Sequence, residues 1–277
     1  MSETKPSFND DDGESSPEKR FTPDNWWTDF LVAMAFLTRI PIDVAWEDGT
    51  LARAFRAFPF AGMIIGAIGG SVYWLATALG LTGLLAGFAA ILVSIVLTGG
   101  LHEDGLADMS DGFGGGHGIA DKLRIMRDSH IGSYGMLALV LSVGIRVSAM
   151  AAIAVPELVF ATLVAAGALS RGIMPALMTA LPMARSDGLA VSAGQPTNKT
   201  AILAVVLAAV IALLFLDLLY GLAAIIFGIW GAIFTGWLAR RQIGGYTGDV
   251  VGAAQQITEG AVLVTVVALI CPRPVFG

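Results

Sequence analysis

Long apolar runs separated by short polar stretches dominate this chain. They fall near residues 58–80, 83–100, 133–154, 158–180, 201–219, 221–239 and 260–271, the last being the shortest. A membrane-crossing helix takes about 20 residues. In lipid every backbone polar group needs an internal partner, so runs this apolar predict helices. No alternation at strand spacing recurs, which argues against an outer-membrane barrel. Residues 30–37 are apolar as well, but the run stops at Arg39 and Pro41. It is too short to cross and predicts an interfacial or partly buried helix, preceded by Trp26 and Trp27, residue types that suit a membrane–water boundary. The expected fold class is all-α: a polytopic integral membrane bundle of about 6–7 transmembrane helices plus an N-terminal interfacial helix.

Composition sharpens this picture. Of 277 residues, 56% are hydrophobic and only 14% charged, against roughly 25% charged in a soluble domain. The net charge of −6 is uneven, because 11 of the 22 acids precede residue 49. Residues 1–25, with Asn9-Asp10-Asp11-Asp12-Gly13-Glu14, read as a disordered acidic tail, and 26–277 as one membrane-embedded catalytic domain. No basic surplus argues for nucleic acid. The single cysteine, Cys271, excludes an internal disulfide and reads as a small packing residue.

Glycines recur every fourth residue at Gly62, Gly66 and Gly70, at Gly83 and Gly87, and at Gly244, Gly248 and Gly252. Small residues at this spacing let helix backbones approach closely, and they permit a homo-oligomer. Lys and Arg set the orientation. The connections after spans 2, 4 and 6 hold Lys122, Arg124, Arg127, Arg185, Lys199, Arg240 and Arg241, whereas those after spans 1, 3 and 5 hold none. The N-terminal side and the basic connections are therefore expected in the cytoplasm, with tight turns on the opposite face.

Polar chemistry concentrates between Leu101 and Gly132. This segment carries six of the acids that follow residue 48 and all three histidines, His102, His117 and His130. Asp104, Asp108 and Asp111 stand at i, i+4 and i+7, on one face of a helix. Three carboxylates on one face repel unless a cation intervenes, and such oxygen donors suit Mg²⁺ shared with substrate phosphates. The histidine spacing matches no zinc signature. Arg127 beside Asp128 supplies a cation suited to bidentate phosphate contact. Lys122 and Arg124 read more simply as topology or lipid-headgroup residues. Arg146 and Arg171 lie inside spans, where an ionisable residue marks function by default; Arg171 could face the aspartates or a pyrophosphate. Gly244 to Gln255 forms a last polar cluster on the same face, with Asp249 entering a helix. The residues alone suggest a multi-span enzyme acting on a phosphorylated substrate at the cytoplasmic membrane face.

At these residues the sequence resembles the cobalamin synthase family, the adenosylcobinamide-GDP ribazoletransferases of vitamin B12 synthesis. The resemblance covers about residues 30–270 and rests on an ordered set of motifs. These are Phe36-Leu37-Thr38-Arg39-Ile40-Pro41, Phe58-Pro59-Phe60-Ala61-Gly62, and Thr98-Gly99-Gly100-Leu101-His102-Glu103-Asp104-Gly105-Leu106-Ala107-Asp108 with Asp111-Gly112. Ile125-Met126-Arg127-Asp128-Ser129 with Gly132, Ser170-Arg171-Gly172, and Gly245-Tyr246-Thr247-Gly248-Asp249 with Gly252-Ala253 complete it. The resemblance implies an Mg²⁺-dependent inner-membrane enzyme that joins adenosylcobinamide-GDP to α-ribazole, or its 5′-phosphate, and releases GMP. It places Mg²⁺ on Asp104, Asp108 and Asp111 and a general base at Asp128 or Asp111. Developing charge would fall to Arg127 and Arg171, and substrate contacts to Arg39, His102, His130, Thr247, Gly248 and Asp249. CDP-alcohol phosphotransferases are an alternative, but Ala107 comes one place early for their motif and Asp108 stands where it has arginine. A transporter is a second alternative; it predicts polar groups at mid-membrane in interrupted spans.

Overall fold

The computed structural model describes residues 25–44 and 49–270. The acidic tail as far as Asp24, and Cys271, lie outside the described residues. The chain opens with α1 (Trp26–Leu37), capped by Asn25, whose side chain accepts from the Trp27 backbone N–H at 3.0 Å. Asp29 is buried on this helix and accepts from Arg53 Nε at 2.8 Å and Arg56 Nε at 2.6 Å. That double ion pair fastens α1 to α2 (Thr50–Ala54), which runs through a 3-10 turn into α3 (Phe58–Ala78). Trp26 and Trp27 stay exposed, and the Arg56 guanidinium lies 4.3 Å from the Trp26 ring centre. A short helix with one buried face and an aromatic outer edge fits the interfacial expectation.

Next come α4 (Gly83–Thr98), α5 (Leu101–Gly115), α6 (Ile119–Ile125) and α7 (Ser133–Ile153). They are followed by α8 (Pro156–Gly172), α9 (Met174–Ala180), α10 (Leu189–Ala193), α11 (Asn198–Phe215), α12 (Leu218–Ile243) and α13 (Gly248–Ile270). Among the described residues, 6 helical stretches are long and apolar enough to cross a membrane, or 7 if α4 and α5, bent by 92°, count as one broken span. α8 is central. Gly62 and Gly66 of α3 pack against it so tightly that a Cβ on either would sit 2.1 Å from the carbonyl oxygen of Gly167 or Leu163. Gly83 and Gly87 of α4 abut Ala151 and Val147 of α7. These glycine faces are therefore used inside the chain, whereas outward leucines, valines and aromatics of α4, α7, α11 and α12 remain exposed for lipid.

The structure corrects several boundaries. The last crossing is not a short run at 260–271 but the 23-residue α13. Gln255, Gln256 and Glu259 break the apolar run in sequence, yet all three are buried among polar partners. The break expected between 219 and 221 falls at Leu216 and Asp217, and the run 158–180 divides at Ile173, before Pro175 in the first turn of α9. Residues 101–132 are not an open connection but mostly α5 and α6. Gly244, Gly248 and Gly252 do not share one helix: Gly244 ends α12 with φ 77°, and the others belong to α13. The expected tight turns stand, at 79–82, 154–155 and 216–217. The other end of the bundle gathers the long polar connections.

Candidate active site

The site begins where α4 stops. Gly99 and Gly100 have φ of 70° and 72°, a left-handed pair that β-carbon-bearing residues rarely adopt. This pair turns the chain by 92° into α5, so the acidic helix lies across the bundle end instead of continuing through it. Asp104 and Asp108 then line a cavity of about 860 Å³ together with Arg39, Arg127 and Asp128. The Arg39 backbone N–H donates to the Leu97 carbonyl at 2.7 Å, and its side chain crosses the space a Cβ on Gly99 would fill. Arg127 pairs with Asp187 on the next basic connection. Asp128 accepts from the His130 ring at 2.8 Å and from its backbone N–H at 3.0 Å. These bonds hold the Asp128 carboxyl below the usual carboxylate range, which makes it a weaker base.

Asp111 is used differently from the expectation. Its carboxylate accepts from the backbone N–H of Gly132 at 2.7 Å and of Gly135 at 2.9 Å. It therefore closes the N-terminus of α7, where unpaired N–H groups and the helix dipole favour an anion. It is absent from the lining of the large cavity, and each of its oxygens already accepts one backbone N–H.

Asp249 takes a place beside the other two carboxylates. Tyr246 N–H donates to the Pro182 carbonyl and Ala184 N–H to the Tyr246 carbonyl, each at 2.9 Å, joining the connection after α9 to the one before α13. The join delivers Arg185, whose Nη2 donates to Asp249 at 3.3 Å. Thr247 donates its hydroxyl to Asp249 at 3.1 Å and accepts from Val250 N–H, capping α13. A Cβ on Gly105 would lie 2.8 Å from the Asp249 carbonyl oxygen, so α5 and the start of α13 touch backbone to backbone. Asp108 consequently feels Asp104, Asp249 and Asp111 as like charges, against Arg185 as the cation.

Arg171 does not face the aspartates. It donates to Glu259 at 3.1 Å inside the bundle. Arg146 reaches the same Glu259 at 3.2 Å and Glu103 at 3.4 Å. Gln255 donates to Glu259 at 2.6 Å and Gln256 to Glu103 at 3.0 Å. Two buried cations thus meet two anions, as buried charges require. His102 is 1% exposed, and among the described residues neither ring nitrogen has a hydrogen-bond partner. His130 is exposed beside Asp128, and Gly248 lines a second, smaller cavity with His102 and Asp249.

Arg185, Glu103 and Glu259 were missed in the sequence. Glu259 has a signal, an acid beside an apolar stretch, obscured because the apolar run starts at 260 whereas α13 starts at Gly248. Arg185 had only its place in a basic connection. Among the described residues no three His, Cys, Asp or Glu side chains converge tightly enough to cage a metal ion by themselves. Asp104 and Asp108, with excess negative charge and space for a ligand, nevertheless fit Mg²⁺, which is typically held by one or two carboxylates plus substrate phosphates.

A helical membrane bundle with carboxylates and arginines around a cavity at one end fits an integral membrane enzyme that works on phosphorylated substrates. Residues 29–267 match the family model described as cobalamin-5-phosphate synthase, and the chain belongs to that family. A relative from Bradyrhizobium diazoefficiens is 43% identical over 87% of this chain and 93% of its own length. One from Mesorhizobium japonicum is 44% identical over 89% and 95%. A third, from Rhizobium meliloti, is 41% identical over 86% and 95%. All three are called adenosylcobinamide-GDP ribazoletransferase. No solved structure matches the chain.

Proposed function

We infer that this protein joins adenosylcobinamide-GDP to α-ribazole or its 5′-phosphate and releases GMP, at the cytoplasmic face of the inner membrane. The carrying observation is that Asp104 and Asp108 share one open cavity with Arg39 and Arg127. Paired carboxylates and guanidiniums in one cleft are what a pyrophosphate needs: a seat for a cation on one side and planar donors on the other. The family membership and the relatives' names support the particular substrates. The concentration of Lys and Arg at the same end supports the cytoplasmic face.

The reaction is a displacement at phosphorus. A ribose hydroxyl of the ribazole attacks the phosphorus that carries the cobinamide arm. A new P–O bond forms, the P–O bond to the bridging oxygen breaks, and GMP departs with that oxygen. Asp249, held by Arg185 and Thr247 beside the carboxylate pair, takes the hydroxyl proton. Arg127 and Arg39 bind the phosphoryl oxygens and stabilise their growing charge. Asp104 and Asp108 would hold Mg²⁺, which when bound neutralises pyrophosphate charge and polarises phosphorus. Arg171 acts from beneath, by fixing Glu259.

The test is turnover by purified protein in liposomes, with adenosylcobinamide-GDP, α-ribazole and Mg²⁺, following GMP and corrinoid product together. Asp104→Asn and a chelator should each lower product formation by about 10²–10³-fold. No product from the folded wild type, or full activity in Asp104→Asn, would refute the reading.

A further inference from the structure

Between α9, α11 and α12 runs a groove of about 520 Å³. Ala232 and Gly236 of α12 are buried along it. Leu177 and Leu181 approach Gly236 from the other side, 3.2 Å and 3.5 Å from where its Cβ would stand. Ala180, Ile233 and Trp237 line the groove from exposed positions. Its lining is apolar except for Arg240. Along α12 it extends from Ile229 to Arg240, about 16 Å of helix.

Depth in the bilayer gives this one cation a meaning. α12 has 26 residues and is about 39 Å long, against a hydrocarbon core of about 30 Å. Its last turn, with Arg240 and Arg241, therefore reaches the headgroup layer. The Arg241 guanidinium lies 4.5 Å from the Trp237 ring centre, and an aromatic ring under a cation suits a membrane boundary. Arg240 is exposed, and among the described residues no carboxylate pairs with it. An apolar groove that ends on an unpaired guanidinium at headgroup depth is complementary to an apolar chain with an anionic head. We propose that this groove binds one anionic phospholipid of the surrounding bilayer, an acyl chain along Ile229, Ile233 and Gly236 and the phosphate on Arg240. α9 is the wall shared with the candidate active site. Its Met174 and Met178 line the smaller cavity with Asp104 and Asp249, whereas Ala176, Leu177 and Ala180 line the groove. Pro182, just after α9, accepts the Tyr246 N–H in the join that brings Arg185 to Asp249. A filled groove supports α9 from behind and so raises turnover without touching substrate; this second step rests on the transferase reading above.

Native mass spectrometry of the full chain in detergent, titrated with phosphatidylglycerol or phosphatidylcholine of the same acyl chains, tests the binding. Wild type should hold one phosphatidylglycerol about fivefold more tightly than phosphatidylcholine, the worth of one basic residue at a membrane surface. Arg240→Gln should lose that preference and Arg240→Lys should keep it. Arg124→Gln, which removes a charge outside the groove, should keep it too. Ala180→Trp, which fills the groove from an exposed position, should weaken both lipids. In liposomes, turnover should rise about two- to fivefold when phosphatidylglycerol replaces phosphatidylcholine, bounded by the binding preference, and Arg240→Gln should not respond. Equal binding of the two lipids by wild type, or a preference that survives in Arg240→Gln, would overturn the assignment. A dimer that excludes lipid and is lost in Ala180→Trp would overturn it as well, by making a second copy the occupant. Turnover indifferent to lipid would overturn the support through α9. A lipid preference as expected, with no turnover in any lipid, would leave the lipid site standing and sink the transferase reading.

Discussion

The four-charge cluster inside the bundle gives the most demanding stability prediction. Arg146 and Arg171 have side chains only 2% and 4% exposed, and their formal charges are balanced by Glu103 and Glu259. Glu259→Gln keeps the shape but removes one negative charge. Glu259 now meets Arg146 at 3.2 Å and Arg171 at 3.1 Å. At an effective dielectric of about 20, unit charges about 4 Å apart attract by about 4 kcal/mol. Two such attractions are lost, offset by the desolvation the carboxylate no longer suffers. Removing one member of a buried ion cluster typically costs about 3–5 kcal/mol, a large part of a stability of about 5–15 kcal/mol. The midpoint of thermal unfolding should fall by about 10 °C.

Tryptophan fluorescence in detergent reads this, since the chain has 6 tryptophans. Charge balance supplies the control. Arg171→Met alone leaves a surplus anion and should also destabilise. Arg171→Met with Glu259→Gln leaves Arg146 facing Glu103 and restores neutrality. The double variant should therefore be more stable than the sum of the singles by about 1–3 kcal/mol. A Glu259→Gln protein within about 1 kcal/mol of wild type, or strict additivity, would refute the balanced-cluster argument.

Other expectations follow from particular contacts. A Cβ on Gly66 would strike the Leu163 carbonyl oxygen at 2.1 Å, so Gly66→Ala should cost about 1–3 kcal/mol or more, measured by the same melt. Among the described residues nothing lies within 4 Å of the Cβ direction of Gly144 on α7, and Gly144→Ala should be neutral or stabilise by about 0.5–1 kcal/mol. Asp111→Ala should destabilise by about 1–2 kcal/mol through loss of the α7 cap, whereas Asp108→Asn should abolish turnover with the melt unchanged or raised. His130 holds the Asp128 carboxyl low, so its carboxylate is retained as pH falls through the usual value of about 3.9 and is lost only below it. A pH profile of kcat/KM between about 5 and 8 should therefore have the same acid limb in Asp128→Asn as in wild type.

The membrane-spanning plan was legible because lipid imposes one rule, internal backbone pairing, on every crossing. Long apolar runs located α3, α4, α7, α11 and α12 to within a few residues, and took α8 and α9 as one run. α13 was cut short because hydropathy counts Gln255, Gln256 and Glu259 as polar without knowing what they face. The same blindness explains Arg171: an intramembrane arginine announces a partner, but sequence offers no distance, and the nearest acid proved to be Glu259 across the bundle rather than the aspartates on α5. Asp111 looked equivalent to Asp104 and Asp108 because helical spacing sets a shared face, not the neighbours each carboxylate meets. Only the start of α7 folding back onto α5 turns it into a cap.

These corrections connect the cluster to the chemistry. Glu103 lies between His102 and Asp104 in α5, and its carboxylate is gripped by Arg146 and Gln256. One turn of α5 therefore faces two ways, with Glu103 tied into the charged interior and Asp104 lining both cavities. Gly105 in the same turn seats the helix against the Asp249 backbone, and Asp111 ties its far end to α7. A slip of one residue in this helix would swing Asp104 by about 100°. Charge pairing beneath, a backbone contact beside and a cap at the end together fix that rotation. In the proposed transferase the buried ions would act without touching substrate, by setting which way the carboxylates point.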